Sequence, residues 1–116
     1  MEFGKVSEVN KERALMWHPG GLEEWSAADW SNAMVGEAGE VANAVKKYRR
    51  IETSLQQNEG PKNFDEAVAA IAQEIGDTYL YLDLLAQYFG IDIVDAIVNT
   101  FNRVSVREGF PQRLER

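Results

Sequence analysis

Cysteine is absent from the 116 residues, and histidine occurs once, as His18. The first absence excludes a disulfide framework, a thiolate nucleophile and any zinc or iron–sulfur site built on sulfur. The second excludes a metal site needing two imidazoles from one chain, and with it the paired Glu-x-x-His motifs of a ferritin-like di-iron protein. Basic residues are scarce: 12 Lys and Arg stand against 19 Asp and Glu, a formal net charge of -7. A protein that grips a phosphate backbone usually shows the opposite excess, so a nucleic-acid polymer is not an expected partner. No apolar run approaches the ~20 residues that span a bilayer. Glu2, Lys5, Glu8, Lys11, Glu12 and Arg13 break up the N-terminal stretch where a secretory signal would be apolar. The expectation is a cytoplasmic protein with no membrane partner.

What is present is the material for one domain spanning 1–116: 45% hydrophobic residues are enough for a core and too many for a disordered chain. Every long segment has helical rather than strand periodicity. The first, about Phe3 to Trp17, has a weak apolar stripe interrupted by Asn10 and Arg13, and His18-Pro19-Gly20-Gly21 ends it. Ser26-Ala27-Ala28-Asp29 resembles a capping box opening a second helix, with Trp30, Met34, Val41, Ala44, Val45 and Tyr48 on its apolar side. Turn formers from Glu52 to Asn63 make a long connection. The third helix, about Asp65 to Phe89, carries Phe64, Val68, Ile71, Ile75, Thr78, Leu82, Leu85 and Phe89 in alternating steps of three and four. Ala67, Ala70, Tyr81, Leu84 and Tyr88 form a second line beside the first, so this helix is expected to pack on two sides. Asp92 caps a fourth helix, from Ile93 to about Arg107, which Gly109 and Pro111 end. The fold class expected is all-α, a four-to-five-helix bundle completed by oligomerisation.

The informative residues break the helical pattern. Residue 37, where the seam of the second helix asks for a leucine, is Glu37, and Glu40 lies beside it on the same side. On the third helix Glu74 and Asp77 interrupt the second apolar line between Ala70 and Tyr81. Burying an unpaired carboxylate costs several kcal/mol, and crowding several adds repulsion. Neither line has a basic residue at these positions, and clustered oxygen ligands suit Mg²⁺ or Mn²⁺. Gly36, Gly39 and Gly76 stand next to the carboxylates, each costing up to ~1 kcal/mol in a helix relative to alanine. Exposed Glu pairs are also common as solvated helix faces, so the residues alone leave both readings open.

Gly36-Glu37-Ala38-Gly39-Glu40-Val41-Ala42-Asn43-Ala44-Val45-Lys46-Lys47, followed by Glu74-Ile75-Gly76-Asp77, resembles the MazG-like branch of the all-α nucleoside triphosphate pyrophosphohydrolases. The signature there is a Glu-x-x-Glu pair and a Glu-x-x-Asp pair on successive helices. Trp30, the stretch Asp77 to Leu85, and the tail through Phe101-Asn102-Arg103 and Arg107-Glu108-Gly109-Phe110-Pro111 extend the likeness over about Trp25 to Leu114. It implies a homodimer or homotetramer that cleaves nucleoside triphosphates to monophosphate and pyrophosphate with Mg²⁺, Mn²⁺ being an alternative. Glu37, Glu40, Glu74 and Asp77 are then the metal ligands, and Glu37, which sits deepest in the seam, is the expected catalytic base.

The resemblance also sets Asn102 and Arg103 near the triphosphate. Lys47, one turn beyond Asn43, is the substrate-contact candidate of the run Lys46, Lys47, Arg49, Arg50, and Trp30 is a candidate for stacking on a base. Two features depart from the family pattern: 33 residues separate Glu40 from Glu74, a longer connection than in compact members, and Thr100 stands where members often carry a lysine. The expected function is hydrolysis of (deoxy)nucleoside triphosphates in nucleotide-pool sanitation. The alternatives are a dedicated enzyme for dUTP, dCTP or phosphoribosyl-ATP, and a non-catalytic helical binding module.

Overall fold

The computed structural model describes residues 2–54 and 60–116, which contain four α-helices and no strand among the described residues. The helices are α1 (Phe3–Trp17), α2 (Ala27–Glu52), α3 (Phe64–Tyr88) and α4 (Ile93–Glu108), with a 3-10 turn at Leu22–Glu24. Their ends have local causes. The Ser26 hydroxyl accepts from the Asp29 amide at 3.1 Å while the Asp29 carboxylate accepts from the Ser26 amide at 2.9 Å, closing the expected capping box. Asn63 and Glu66 do the same for α3: Asn63 accepts from the Glu66 amide at 2.9 Å and Glu66 from the Lys62 amide at 2.7 Å. Asp92 caps α4, and Gly109 stops it at φ 72°, where a side chain would be strained. Of the connection expected over Glu52 to Asn63, residues 55–59 lie outside the described residues. None of the described helices is long and apolar enough to cross a membrane.

Two compact units divide the chain, one of Trp25–Leu82 and one of Met1–Glu24 with Asp83–Arg116, so that α3 runs through both. The Trp25–Leu82 unit is an antiparallel hairpin of α2 and the first part of α3. Trp30 stands by Tyr81 with ring centroids 6.5 Å apart, and Tyr48 by Phe64 at 5.3 Å, a register that sets Glu37 opposite Glu74. Between these aromatic ends the buried residues are small, Ala44 on α2 and Ala67 on α3, which lets the two backbones approach.

Within this hairpin the main apolar line of α3 is not a seam. Phe64, Val68, Ile75 and Leu82 are 46, 54, 55 and 40% exposed, while Ala67 on the second line is fully buried. The expectation that α3 packs on two sides, with more burial than one chain offers, is half visible in this chain: α2 takes the line carrying the carboxylates, and the heptad-spaced line is left largely exposed. Thr78 fits that line because its hydroxyl is satisfied within the helix, donating to the Glu74 carbonyl at 2.8 Å.

In the other unit α1 is seated by polar contacts. Asp83, only 1% exposed, accepts from the Ser7 hydroxyl, from Asn10 Nδ2 at 2.9 Å and from Gln87 Nε2 at 2.9 Å. Gln87 also donates to the Ser7 carbonyl at 3.0 Å. A carboxylate this deep is tolerable only because its oxygens are hydrogen-bonded. Asn10, an interruption in the sequence pattern, is thus one of the residues that dock α1. Beyond α4 the C-terminal tail folds back: Asn102 donates to the Leu114 carbonyl at 2.9 Å and accepts from the Leu114 amide at 2.8 Å. Arg116 meets Asp92 at 2.9 and 3.0 Å and Asp95 at 2.5 Å, at the N-terminal end of α4.

Candidate functional site

The hairpin register brings the two carboxylate pairs face to face. One carboxylate oxygen from each of Glu37, Glu74 and Asp77 lies within 4.8 Å of the others, and all three side chains are half-buried. Spacing explains the convergence. Glu74 and Asp77 are three apart on α3 and share a face, while Glu37 projects from α2 at the level where the helices cross opposite Glu74. Glu40, one turn along α2, is exposed and outside this set, so three of the four carboxylates expected to bind a metal come together here.

Burial pushes the Glu37 carboxyl above its ordinary value, and the Asp77, Glu74 and Glu40 carboxylates push it further in the same direction. Either a proton or a cation relieves that crowding. The donor set consists of oxygen atoms alone, with no imidazole or thiolate, and its span matches what one hard divalent ion can bridge with small side-chain adjustments. The group therefore fits Mg²⁺ or Mn²⁺ on its own geometry.

Next to the triad a hollow of about 370 Å³ opens along the hairpin, lined by Glu40, Asn43, Ala44 and Lys47 of α2 and by Ala70 and Glu74 of α3. Its outer rim is Gly60 and Pro61. Of the basic run on α2, Lys47 lines the hollow, while Arg49 pairs with Glu52 at 3.4 Å near the end of the helix. Asn43 was not singled out from the sequence as a site residue. The signal was its position between Glu40 and Lys47, three and four residues from them on one helix face.

Three expected substrate contacts are revised or qualified by the geometry. Trp30 is 1% exposed, with Trp25 at a centroid distance of 4.6 Å and Tyr81 on another side, so no ring face is open to a base. It serves as packing. The Asn102 side-chain amide donates to the Leu114 carbonyl and accepts from the Leu114 amide, and so holds the tail. Arg103 is exposed on α4.

No curated protein and no solved structure matches the chain. The MazG nucleotide pyrophosphohydrolase domain matches residues 27–109, a stretch that begins at the first residue of α2 and ends at the glycine that stops α4. Most of the chain, both carboxylate pairs and the hollow between their helices fall inside that match, and the chain belongs to the MazG nucleotide pyrophosphohydrolase family.

Proposed function

We propose that the chain is a divalent-metal-dependent nucleoside triphosphate pyrophosphohydrolase, releasing a nucleoside monophosphate and pyrophosphate. The observation that carries this reading is the convergence of Glu37, Glu74 and Asp77 beside a hollow in the family-matched hairpin. Glu37, Glu74 and Asp77 would hold Mg²⁺, with Glu40, close enough to raise the proton affinity of Glu37, as the fourth ligand. A bound divalent ion would supply charge neutralisation to the phosphates and polarisation of a phosphoryl oxygen.

The chain's own residues do the rest. Glu37 accepts a proton from the water whose oxygen attacks the α-phosphorus, and the bond from that phosphorus to the α–β bridging oxygen breaks with pyrophosphate as leaving group. Lys47 is the cation of the α2 run that faces substrate. A role in clearing surplus or non-canonical nucleotides from the cytoplasmic pool goes with this reading.

The outward heptad line of α3 supports a homo-oligomer. Phe64, Val68, Ile75 and Leu82 repeat at a/d spacing, which asks for another helix. A second copy offers the same line, and Val35 and Val45 on α2 are exposed apolar residues as well.

Pyrophosphate release from a panel of NTPs and dNTPs with Mg²⁺ tests the reading, comparing wild type with Glu74→Ala and Glu37→Gln. Both variants are expected to lose at least ~100-fold in kcat, in the range of a lost general base. A wild type that turns over no nucleotide, or a Glu74→Ala variant as fast as wild type, would leave the binding-module alternative standing instead. Turnover confined to dUTP, dCTP or phosphoribosyl-ATP would make it a dedicated enzyme.

A further inference from the structure

The hollow beside the triad differs in character from the triad itself. Three carboxylates, Glu40, Glu66 and Glu74, stand on its wall against the one ammonium of Lys47, and the Glu66 carboxylate is already engaged in capping α3. The remaining lining is uncharged: Ala44 and Ala70 on the floor, Pro61 and Gly60 at the rim and the Asn43 amide between Glu40 and Lys47. Its volume of about 370 Å³ lies within the range of small-ligand pockets. From Glu40 to Lys47 the helix advances roughly 10 Å, so a molecule with one end at the triad reaches the rim with its other end.

On the reading that the triad takes the phosphates, we infer that this hollow seats the uncharged nucleoside end of the substrate and that Asn43 is the residue that discriminates between bases. An amide presents a donor and an acceptor side by side, and so can match the edge of one base and mismatch another. Lys47, which offers donors alone, favours a base edge rich in acceptors. Ala44 and Ala70 make the space: larger side chains at either position would fill it.

The experiment compares wild type with Ala70→Leu, Asn43→Ala and Asn43→Asp. It measures kcat and KM on the eight common NTPs and dNTPs and, separately, Mn²⁺ affinity by electron paramagnetic resonance. Ala70→Leu is expected to raise KM at least ~10-fold for every nucleotide, with Mn²⁺ affinity within about twofold of wild type. Asn43→Ala is expected to compress the spread of kcat/KM between bases by about 3- to 10-fold, the worth of one hydrogen bond. Asn43→Asp should reorder the bases, because a donor becomes an acceptor. Asn43 is exposed, so its variants fold whatever happens to Ala70→Leu. Unchanged base ranking in both Asn43 variants overturns the discrimination role, as does a shift confined to the ribose-to-deoxyribose ratio. An unchanged KM in folded Ala70→Leu overturns the seat. Turnover by wild type alongside either result sinks this inference alone, whereas no turnover by wild type on any nucleotide overturns the proposed function and this inference with it.

Discussion

Replacing Asp83 by alanine should be the most damaging single change outside the triad. The carboxylate is 1% exposed and accepts from Ser7, Asn10 and Gln87. Hydrogen bonds to a charged group are worth about 1.5–3 kcal/mol each, and removing one partner from a buried network exposes the desolvation cost of the others. The losses do not simply add, because all three donors share one carboxylate and Gln87 keeps the Ser7 carbonyl at 3.0 Å. Relief of the burial of a charge offsets part of them. A net loss of about 3–4 kcal/mol follows, at the upper end of single-residue effects. For a chain of this size that lowers Tm by roughly 12–16 °C.

Asp83→Asn should cost about 1–2 kcal/mol, since its carbonyl can serve Asn10 and Gln87 while its amide donates to the Ser7 hydroxyl, which also accepts. Urea and thermal unfolding followed by circular dichroism give both numbers, and hydrogen exchange over residues 3–17 reports whether α1 opens first. If Asp83→Ala unfolds within about 0.5 kcal/mol of wild type and exchange in α1 is unchanged, Asp83 does not dock the helix and the reasoning fails.

Asn102→Ala should free the tail, at a cost of about 1–2 kcal/mol for two hydrogen bonds; faster proteolysis after Gly109 is the readout, and an unchanged cleavage rate contradicts the clamp. Asp92 is held at about 2 by hydrogen bonds from Arg116 and then from the Asp95 amide. A depressed carboxylate adds stability above its ordinary value near 3.8 and loses it as pH falls from there towards 2, so the tail contact should persist at pH 5 and disappear near pH 2. In Arg116→Ala the Asp92 midpoint, followed by NMR, should rise towards 3.8, and a midpoint still near 2 would show that Arg116 is not the cause. Gly76→Ala should raise helix stability by about 0.5–1 kcal/mol, because among the described residues nothing beyond the helix's own nearby backbone lies within 4 Å of the added carbon. Stabilisation accompanied by loss of assembly or turnover would mean that a second chain or the substrate needs that space.

Local chemistry was legible wherever neighbours in sequence decide the outcome. Capping at Ser26 and Asp92 and the glycine stop at Gly109 were readable because each depends on residues within one turn of each other. The two carboxylate pairs were readable as anomalies, since charge in an apolar line is costly wherever the line packs. Asp83 escaped notice for the opposite reason: standing between Leu82 and Leu84, it looks like one more solvated residue, and its donors on α1 lie 73 and 76 positions earlier in the chain.

By itself, then, the sequence determined the helices, their ends, the family and the identity of the candidate metal ligands. Tertiary structure decided which apolar line of α3 meets α2, that Trp30 is core, that Asn102 holds the tail, and that Glu40 stands outside the tight triad. Helical periodicity specifies which residues share a face, but not which face is covered. That choice is made by the close fit of Ala44 and Ala67 between the aromatic ends of the hairpin, and it is this fit that turns two separated motifs into one site.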